Sequence, residues 1–185
     1  MSRDLARPIP VPEGGAGREP AVAVVALGSN LGDRAATFDA AVRELRRLPL
    51  VDEVIVSEPI ESVALTLAGP DASAPGYLNA VALVTTRLAP TVLLGLLHRI
   101  EAAHGRPARD AAAPRWQDRT LDLDLIAYGD VRIPEEHSGG GLVLPHPRAA
   151  ERDFVLGPWL ALDPDAVLPG HGRVDALLAR LRENE

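Results

Sequence analysis

The order of apolar segments constrains the fold of this chain more than any other feature of its sequence. Four apolar runs are short or alternate with a period of two, as β-strands do, and others repeat apolar residues at helical spacing. The predicted order is strand, helix, strand, strand, helix, strand, with a helical C-terminal extension. This order is typical of an α+β, ferredoxin-like βαββαβ fold, an antiparallel sheet with helices on one face. The predicted strands are 21–28, 51–62, 77–86 and 120–129. The predicted helices are 31–48, 90–105 and 173–184, and a further short helix is expected after LVLPHP at 142–147.

The remaining segments have the composition of tails and loops. Residues 1–20 are rich in proline and glycine and show no periodicity, which predicts a disordered N-terminal tail. Residues 21–185 are then expected to form a single domain. Loops are predicted at 63–76 and 106–114, and a flexible segment at 135–141.

The composition excludes several classes of function. A net charge of −7 argues against a nucleic-acid partner. The absence of cysteine excludes disulfides and thiolate metal sites and agrees with a reducing cytoplasm. No apolar run approaches the roughly 18 residues of a membrane span, and no apolar stretch follows the N-terminal charges as in a secretory signal. We therefore expect a cytoplasmic protein whose partners are small molecules and not membranes. We also expect a monomer, although the composition does not determine the oligomeric state.

Two aspartates interrupt the apolar run of the fourth predicted strand. Side chains two residues apart on a strand share a face, with Cα atoms roughly 6–7 Å apart, so Asp122 and Asp124 could bind Mg²⁺ together. A bare pair of this kind also occurs on the solvated face of an edge strand. Arg115, Trp116 and Arg119 favour the metal site, because Mg²⁺ and arginine together stabilise a transferring phosphoryl group. A planar ring stacked on Trp116 would explain a tryptophan in a polar loop.

Other segments suit a flat, amide-bearing ligand and a phosphate. Tyr77 and Asn79 share one face of the third predicted strand, and an amide both donates and accepts hydrogen bonds, although such residues are also common at sheet rims. His146 stands between two prolines that restrict the backbone, and it could donate a hydrogen bond to a phosphate. The segment ALGSNLGDR places Gly28 after a strand, where a ligand could approach the backbone closely.

Five segments follow one another along the chain: ALGSNLGDR, YLNAVALVTT, LLHRIEAAHGR, RWQDRTLDLDLIAYG and LPHPRAAERDFVLGPW. With these segments the chain resembles, over about residues 21–170, the 6-hydroxymethyl-7,8-dihydropterin pyrophosphokinase family of folate biosynthesis. The resemblance implies a ferredoxin-like fold and a transferase that moves the β,γ-pyrophosphoryl group of ATP to the pterin hydroxymethyl. The expected second product is AMP, and the expected cofactor is a pair of Mg²⁺ ions.

The resemblance also implies roles for individual residues. Asp122 and Asp124 would bind the metal ions, and Arg106 and Arg119 would complete the catalytic set by meeting the phosphates when the loops 63–76 and 106–114 close and exclude water. The expected ATP-binding residues are Glu101, Arg109, Arg115, Trp116, Arg119, Leu125, His146 and Arg152. The expected pterin-binding residues are Gly28, Ser62, Leu65, Tyr77, Asn79, Trp116 and Phe154.

The chain departs from the family pattern at several positions. Positions 62–63 are Ser-Val where the family usually has Thr-Pro, which keeps the hydroxyl but loses the rigid ring. Positions 117–118 are Gln-Asp where it has Gly-Pro, so an acid stands beside the expected phosphate-binding arginine. Gly141 and Val143 stand near the places of an arginine and a threonine, so an ATP contact is expected to be missing or supplied elsewhere.

Two functions of other classes compete with this interpretation. A non-catalytic ferredoxin-like ligand-binding module would tolerate the loss of Asp122, Asp124 or Arg119, and all are present. A Mg²⁺-dependent phosphohydrolase could use the same carboxylates, but it would leave Tyr77, Asn79 and Trp116 unexplained. It would also need a base that orients water, which the sequence does not reveal.

Overall fold

A computed structural model describes residues 19–62, 64–66, 69–71, 76–105, 120–139 and 141–183, with the backbone alone at 64–66 and 69–71. The predicted disordered tail lies outside these residues except for Glu19 and Pro20, and the predicted loop 106–114 lies wholly outside them.

The described elements follow the predicted order of strands and helices. They are β1 (Ala21–Ser29), α1 (Arg34–Arg46), β2 (Val51–Val56), β3 (Ile60–Ser62), β4 (Ala64–Thr66), β5 (Gly69–Asp71), β6 (Tyr77–Thr86), α2 (Pro90–Ala103), β7 (Asp122–Tyr128), α3 (Glu135–Ser138), a 3₁₀ turn (Ala149–Glu151), α4 (Asp153–Leu162), β8 (Val167–Leu168), β9 (Gly172–Arg173) and α5 (Val174–Glu183).

The main sheet has the strand order β2-β6-β1-β7, and every pairing in it is antiparallel. β3 pairs with the beginning of β6 beyond the end of β2, so the two short strands share one edge of the sheet. β1 and β6 lie in the middle and β7 forms the other edge. The predicted ferredoxin-like α+β class is confirmed.

Helices cover both faces of this sheet. On one face α1 and α2 pack against β1 and β7, with Phe38, Leu97 and Leu27 in the core. On the other face α4 and α5 pack in a second core that includes Leu156 and Ile126. Fully burying each such side chain contributes about 1.5–3 kcal/mol. The first face carries the predicted helices, and the C-terminal extension covers part of the second.

Three local predictions were wrong. The strand predicted over 51–62 is broken, because Pro59 has no N–H to donate to the ladder and Ser57 bonds back to Val81. The predicted loop 63–76 contains the paired strands β4 and β5. The segment 135–141, predicted to be flexible, begins with the unpredicted helical turn α3, and Gly139 follows its last residue, Ser138, in the left-handed conformation that is favoured after a helix C-terminus. Within the described ranges, no helix is long and apolar enough to cross a membrane.

Candidate active site

A row of three paired residues crosses one end of the sheet. Gly28 of β1 lies between Asn79 of β6 and Asp122 of β7. Paired residues of antiparallel strands point to the same face, which here is the face that α4 and α5 cover farther along the strands. A Cβ atom at Gly28 would lie 3.6 Å from Asn79 Oδ1 and 3.9 Å from the Cβ of Asp122. The glycine therefore leaves an unfilled space between the Asn79 amide and the Asp122 side chain.

The two aspartates of β7 lie on this open face. Asp122 pairs with Gly28 and Asp124 with Ala26, and both carboxylates are half-buried. Leu123 and Leu125 alternate with them and are buried in the core beneath α1 and α2. The strand period thus separates carboxylates from leucines as the sequence predicts. Because Leu125 is 2% exposed, only its backbone could contact ATP.

A basic group from another element reaches the second aspartate. Arg152, the residue before α4, donates from Nη1 to Asp124 Oδ2 at 2.7 Å. Its guanidinium carbon lies 5.9 Å from the centre of the Phe154 ring. The Nε2 atom of His146 lies 4.0 Å from the same oxygen of Asp124. The segment that precedes α4 and the first turn of α4 therefore bring three of the predicted residues to the carboxylate edge of the site.

Hydrogen bonds set the position and the tautomer of His146. Its backbone N–H donates to Ile126 O at 2.8 Å, which attaches the segment to β7. Its Nδ1 accepts the N–H of Arg148 at 3.1 Å, so the proton of the neutral ring is assigned to Nε2. Burial lowers the pKa of His146; Asp124 opposes this effect and Arg152 adds to it. The ring is therefore an uncharged donor that faces the site at neutral pH.

On the opposite side of Gly28, a hydrogen bond orients Asn79. Asn79 Nδ2 donates to Ser62 Oγ at 2.7 Å. The Oδ1 atom of Asn79 is the atom nearest to the unfilled space at Gly28. Ser62 pairs with Tyr77 in the ladder between β3 and β6. The hydroxyl that this chain keeps at position 62 thus holds the amide with its acceptor toward the site.

Glu101 occupies a different position. It is 1% exposed, and its Oε1 accepts the backbone N–H of Leu123 at 2.8 Å. β7 is an edge strand, so this N–H has no strand partner on that side, and the carboxylate ties α2 to it. One oxygen of the predicted ATP-binding carboxylate is therefore already engaged by the fold.

The structure brings together most of the predicted residues that it describes. Those on the same open face or at its edge are Gly28, Ser62, Tyr77, Asn79, Asp122, Asp124, His146, Arg152 and Phe154. Those outside the described residues are Arg106, Arg109, Arg115, Trp116 and Arg119, and so is the side chain of Leu65.

One residue beside this group was missed from the sequence. Arg34 donates to Gly76 O at 2.8 Å and to Glu61 Oε1 at 3.0 Å. Both acceptors adjoin predicted pterin-binding residues. An arginine at the first position of a helix, where the helix dipole disfavours a cation, is the signal that could have pointed to it.

The donor set of the two aspartates suits Mg²⁺. Hard carboxylate oxygens are its preferred protein ligands, and it usually keeps several waters and takes the rest of its shell from substrate phosphates. In the part of the chain that the structure describes, no group of three or more acidic, histidine or cysteine side chains is placed to hold a metal by itself. Two carboxylates on one face fit a cation that binds together with a polyphosphate.

Known proteins resemble this chain over most of its length. A family model described as 7,8-dihydro-6-hydroxymethylpterin-pyrophosphokinase (HPPK) matches residues 24–164. The 2-amino-4-hydroxy-6-hydroxymethyldihydropteridine pyrophosphokinase of Haemophilus influenzae is 35% identical over 163 residues, which are 88% of this chain and 94% of that protein. The enzyme of the same name from Pseudomonas aeruginosa is 40% identical over 155 residues, which are 84% of this chain and 88% of that protein.

The fold also matches solved structures. The wild-type HPPK-DHPS protein of Plasmodium falciparum has a TM-score of 0.63 to this chain at 11% identity, which shows a common fold. The match covers 89% of this chain and 42% of that chain, so this chain spans less than half of that protein. The family model and the relatives carry the assignment: the chain belongs to the 7,8-dihydro-6-hydroxymethylpterin-pyrophosphokinase family.

Proposed function

We propose that the open face around Gly28 is where this chain performs the pyrophosphokinase reaction of its family, in folate biosynthesis. The reaction transfers the β,γ-pyrophosphoryl group of ATP to the hydroxymethyl oxygen of 6-hydroxymethyl-7,8-dihydropterin. A bond forms between that oxygen and the β-phosphorus, and the bond from the β-phosphorus to the α,β-bridging oxygen breaks, which releases AMP. The hydroxyl proton is lost to solvent. The observation that carries the proposal is the placement of Asp122 and Asp124 on one face beside an oriented amide.

The carboxylate side of the face is proposed to hold the phosphates. Asp122 and Asp124 would hold two Mg²⁺ ions, which would supply positive charge to offset the charge of the phosphates. Arg152 lies against Asp124, where its guanidinium can meet an anionic phosphate in a bidentate way. The uncharged Nε2–H of His146 supplies a further donor from the same side.

The amide side of the face is proposed to hold the pterin. Asn79 presents Oδ1 as an acceptor, which suits the amino and N–H groups of a pterin edge. Tyr77 and Phe154 supply aromatic planes at the border of the face, and Gly28 leaves room for the ring between them and the carboxylates. A substrate alcohol held in this way needs positioning and charge neutralisation, and no covalent nucleophile on the protein.

The remaining predicted residues extend this proposal. Arg106 and Arg119 would meet the phosphates, Arg109 and Arg115 would bind ATP, Trp116 would contact both ligands, and Leu65 would line the pterin side. Glu101 and the backbone at Leu125 would complete the ATP side. We further propose that the protein acts as a cytoplasmic monomer.

Identification of the nucleotide product tests the proposal. The full chain is incubated with ATP, Mg²⁺ and 6-hydroxymethyl-7,8-dihydropterin, and the nucleotides are separated by ion exchange. AMP that forms only when the pterin is present is the expected result. ADP, or phosphate release that does not require the pterin, would instead support a phosphohydrolase. Binding of both ligands without turnover would support a non-catalytic binding module.

A further inference from the structure

One arginine bridges the two strands that enter the pterin side of the site. Arg34 is the first residue of α1, and its guanidinium bonds to the Gly76 carbonyl, just before β6, and to the Glu61 carboxylate of β3. The two bonds come from different nitrogens, Nη1 and Nη2, at 2.8 and 3.0 Å. The planar fork of arginine can bind two acceptors at once in this way, and the ammonium of lysine offers no such fork.

The bridged positions adjoin proposed pterin-binding residues. Glu61 precedes Ser62 and Gly76 precedes Tyr77, and Ser62 and Tyr77 pair in the last rung of the β3–β6 ladder. The strands are close at this point, because a Cβ atom at Gly76 would lie 3.3 Å from the Ser62 carbonyl oxygen. Ser62 also orients the Asn79 amide. The position of this rung therefore sets both the aromatic plane and the acceptor of the pterin side.

The location of Arg34 is electrostatically unfavourable for the helix itself. A cation at a helix N-terminus opposes the helix dipole, and no acidic residue in the first turn of α1 offsets it. The Asp33 side chain accepts the Ala36 N–H at 3.0 Å and caps the helix without help from the arginine. The stability of α1 therefore gives no reason for an arginine at this position, and the contacts of Arg34 with the two strands do.

We propose that Arg34 is a positioning residue for the pterin substrate: it holds the Ser62–Tyr77 rung so that Asn79 and Tyr77 face the ring. This inference rests on the proposed function for its substrate. It predicts that the loss of Arg34 raises the KM for the pterin and leaves the KM for ATP nearly unchanged. The ATP side, which lies across Gly28 on β7 and near α4, keeps its geometry.

Steady-state kinetics of Arg34→Met, Arg34→Lys and the control Arg43→Met test this inference. Arg43 is an exposed arginine in the last turn of the same helix, where a cation is favourable. Arg34→Met is expected to raise the KM for the pterin about tenfold, while kcat and the KM for ATP change less than about twofold. Arg34→Lys, which keeps the charge and one contact, should recover part of the loss, and Arg43→Met should match the wild type.

The contrary results are equally defined. An unchanged pterin KM in Arg34→Met, or an equal rise in the KM of both substrates, would overturn the inference. If Arg34→Met does not fold, a pterin KM of Arg34→Lys equal to that of the wild type would overturn it.

A second readout does not depend on turnover. Amide exchange in β3 and at the beginning of β6 should be faster in Arg34→Met than in Arg43→Met, and equal exchange in the two variants would overturn the inference. Absence of wild-type AMP formation would contradict the proposed function alone, and the exchange comparison would still decide the role of Arg34.

Discussion

At the scale of single residues, the site depends on a glycine, Gly28, which has no side chain to fill the space above the sheet. Gly28 has ordinary contact distances around the place of a Cβ atom, so the fold does not require glycine there. The neighbours of that place are the Asn79 amide and Asp122, which are proposed to bind the two substrates. A methyl group would therefore occupy substrate space and leave the packing of the protein intact.

The substitution Gly28→Ala tests this interpretation. The free energy of unfolding should stay the same or rise by up to about 1 kcal/mol, because alanine restricts the unfolded chain. The kcat/KM for the pterin should fall about tenfold, measured by AMP formation. Gly95→Ala, in α2 with no atom within 4 Å of its added Cβ, is the matched control and should retain full activity. An equal kcat/KM for the pterin in the two variants would show that Gly28 does not border the pterin.

Ser29 provides a second prediction at this scale. Its side chain is fully buried, and its Oγ has no hydrogen-bond partner in the structure as described. Replacing an unsatisfied hydroxyl by a methyl group removes a desolvation cost, so Ser29→Ala should raise the free energy of unfolding by about 1 kcal/mol. Urea unfolding with an unchanged m-value would measure it. A loss of stability would instead indicate a hydrogen bond at this hydroxyl.

Residue periodicity predicted part of this site from sequence. The period of two placed Asp122 and Asp124 on one face and the leucines on the other, and it grouped Tyr77 with Asn79. The bond from Asn79 to Ser62 and the bridge from Arg34 join positions 17 and 42 residues apart. No local pattern encodes such pairs, because they arise only when β3, β6 and α1 have assembled.

At the scale of elements, Glu101 couples a helix to the edge of the sheet. Its carboxylate accepts the Leu123 N–H, which would otherwise be a buried donor on an edge strand. The sequence pattern predicted that Glu101 lies on a helix and that Leu123 lies on a strand. It could not show that the Glu101 carboxylate accepts the Leu123 N–H. The Glu101 bond adds to the packing of α2 against β7 in the core on that face of the sheet.

Substitution of Glu101 separates its structural contribution from ATP binding. Glu101→Ala leaves the Leu123 N–H without its acceptor and should lower the free energy of unfolding by about 1–3 kcal/mol. Glu101→Gln keeps an acceptor oxygen and should lose less stability. Thermal and urea unfolding measure both effects, and calorimetry measures ATP affinity. Stability equal to the wild type in Glu101→Ala would contradict the coupling.

At the scale of the whole molecule, two cores share a single sheet. Leu97 belongs to the core beneath α1 and α2, and Leu156 to the core beneath α4 and α5. The order of the first six elements predicted one covered face, because that order defines the fold class. The position of α4 could not be predicted in the same way, because the sequence after β7 is rich in Pro and Gly and has weak periodicity.

The shared sheet predicts cooperative unfolding. Leu97→Ala and Leu156→Ala should each lower the free energy of unfolding by about 2–5 kcal/mol, because each leaves a cavity in a fully buried site. In each variant, made in a Trp116→Phe background so that Trp159 is the one tryptophan, the loss of circular dichroism and the change of tryptophan fluorescence should coincide, although Trp159 lies in the second core. Separate transitions by the two probes would show that the cores unfold independently.

The central claim, that the carboxylates of β7 support pyrophosphoryl transfer, is tested most directly by pterin-dependent AMP formation in Asp122→Asn and Asp124→Asn. Both residues lie on the open face and outside the two hydrophobic cores, and asparagine at position 124 keeps an amide oxygen that can accept the hydrogen bond from Arg152, so the melting temperature should change by no more than a few degrees. Asp130→Asn, at the exposed turn beyond the other end of β7, is the matched control. We expect AMP formation to fall at least about a hundredfold in the two site variants and to stay at the wild-type rate in the control. Near wild-type AMP formation in a folded Asp122→Asn or Asp124→Asn protein would contradict the account.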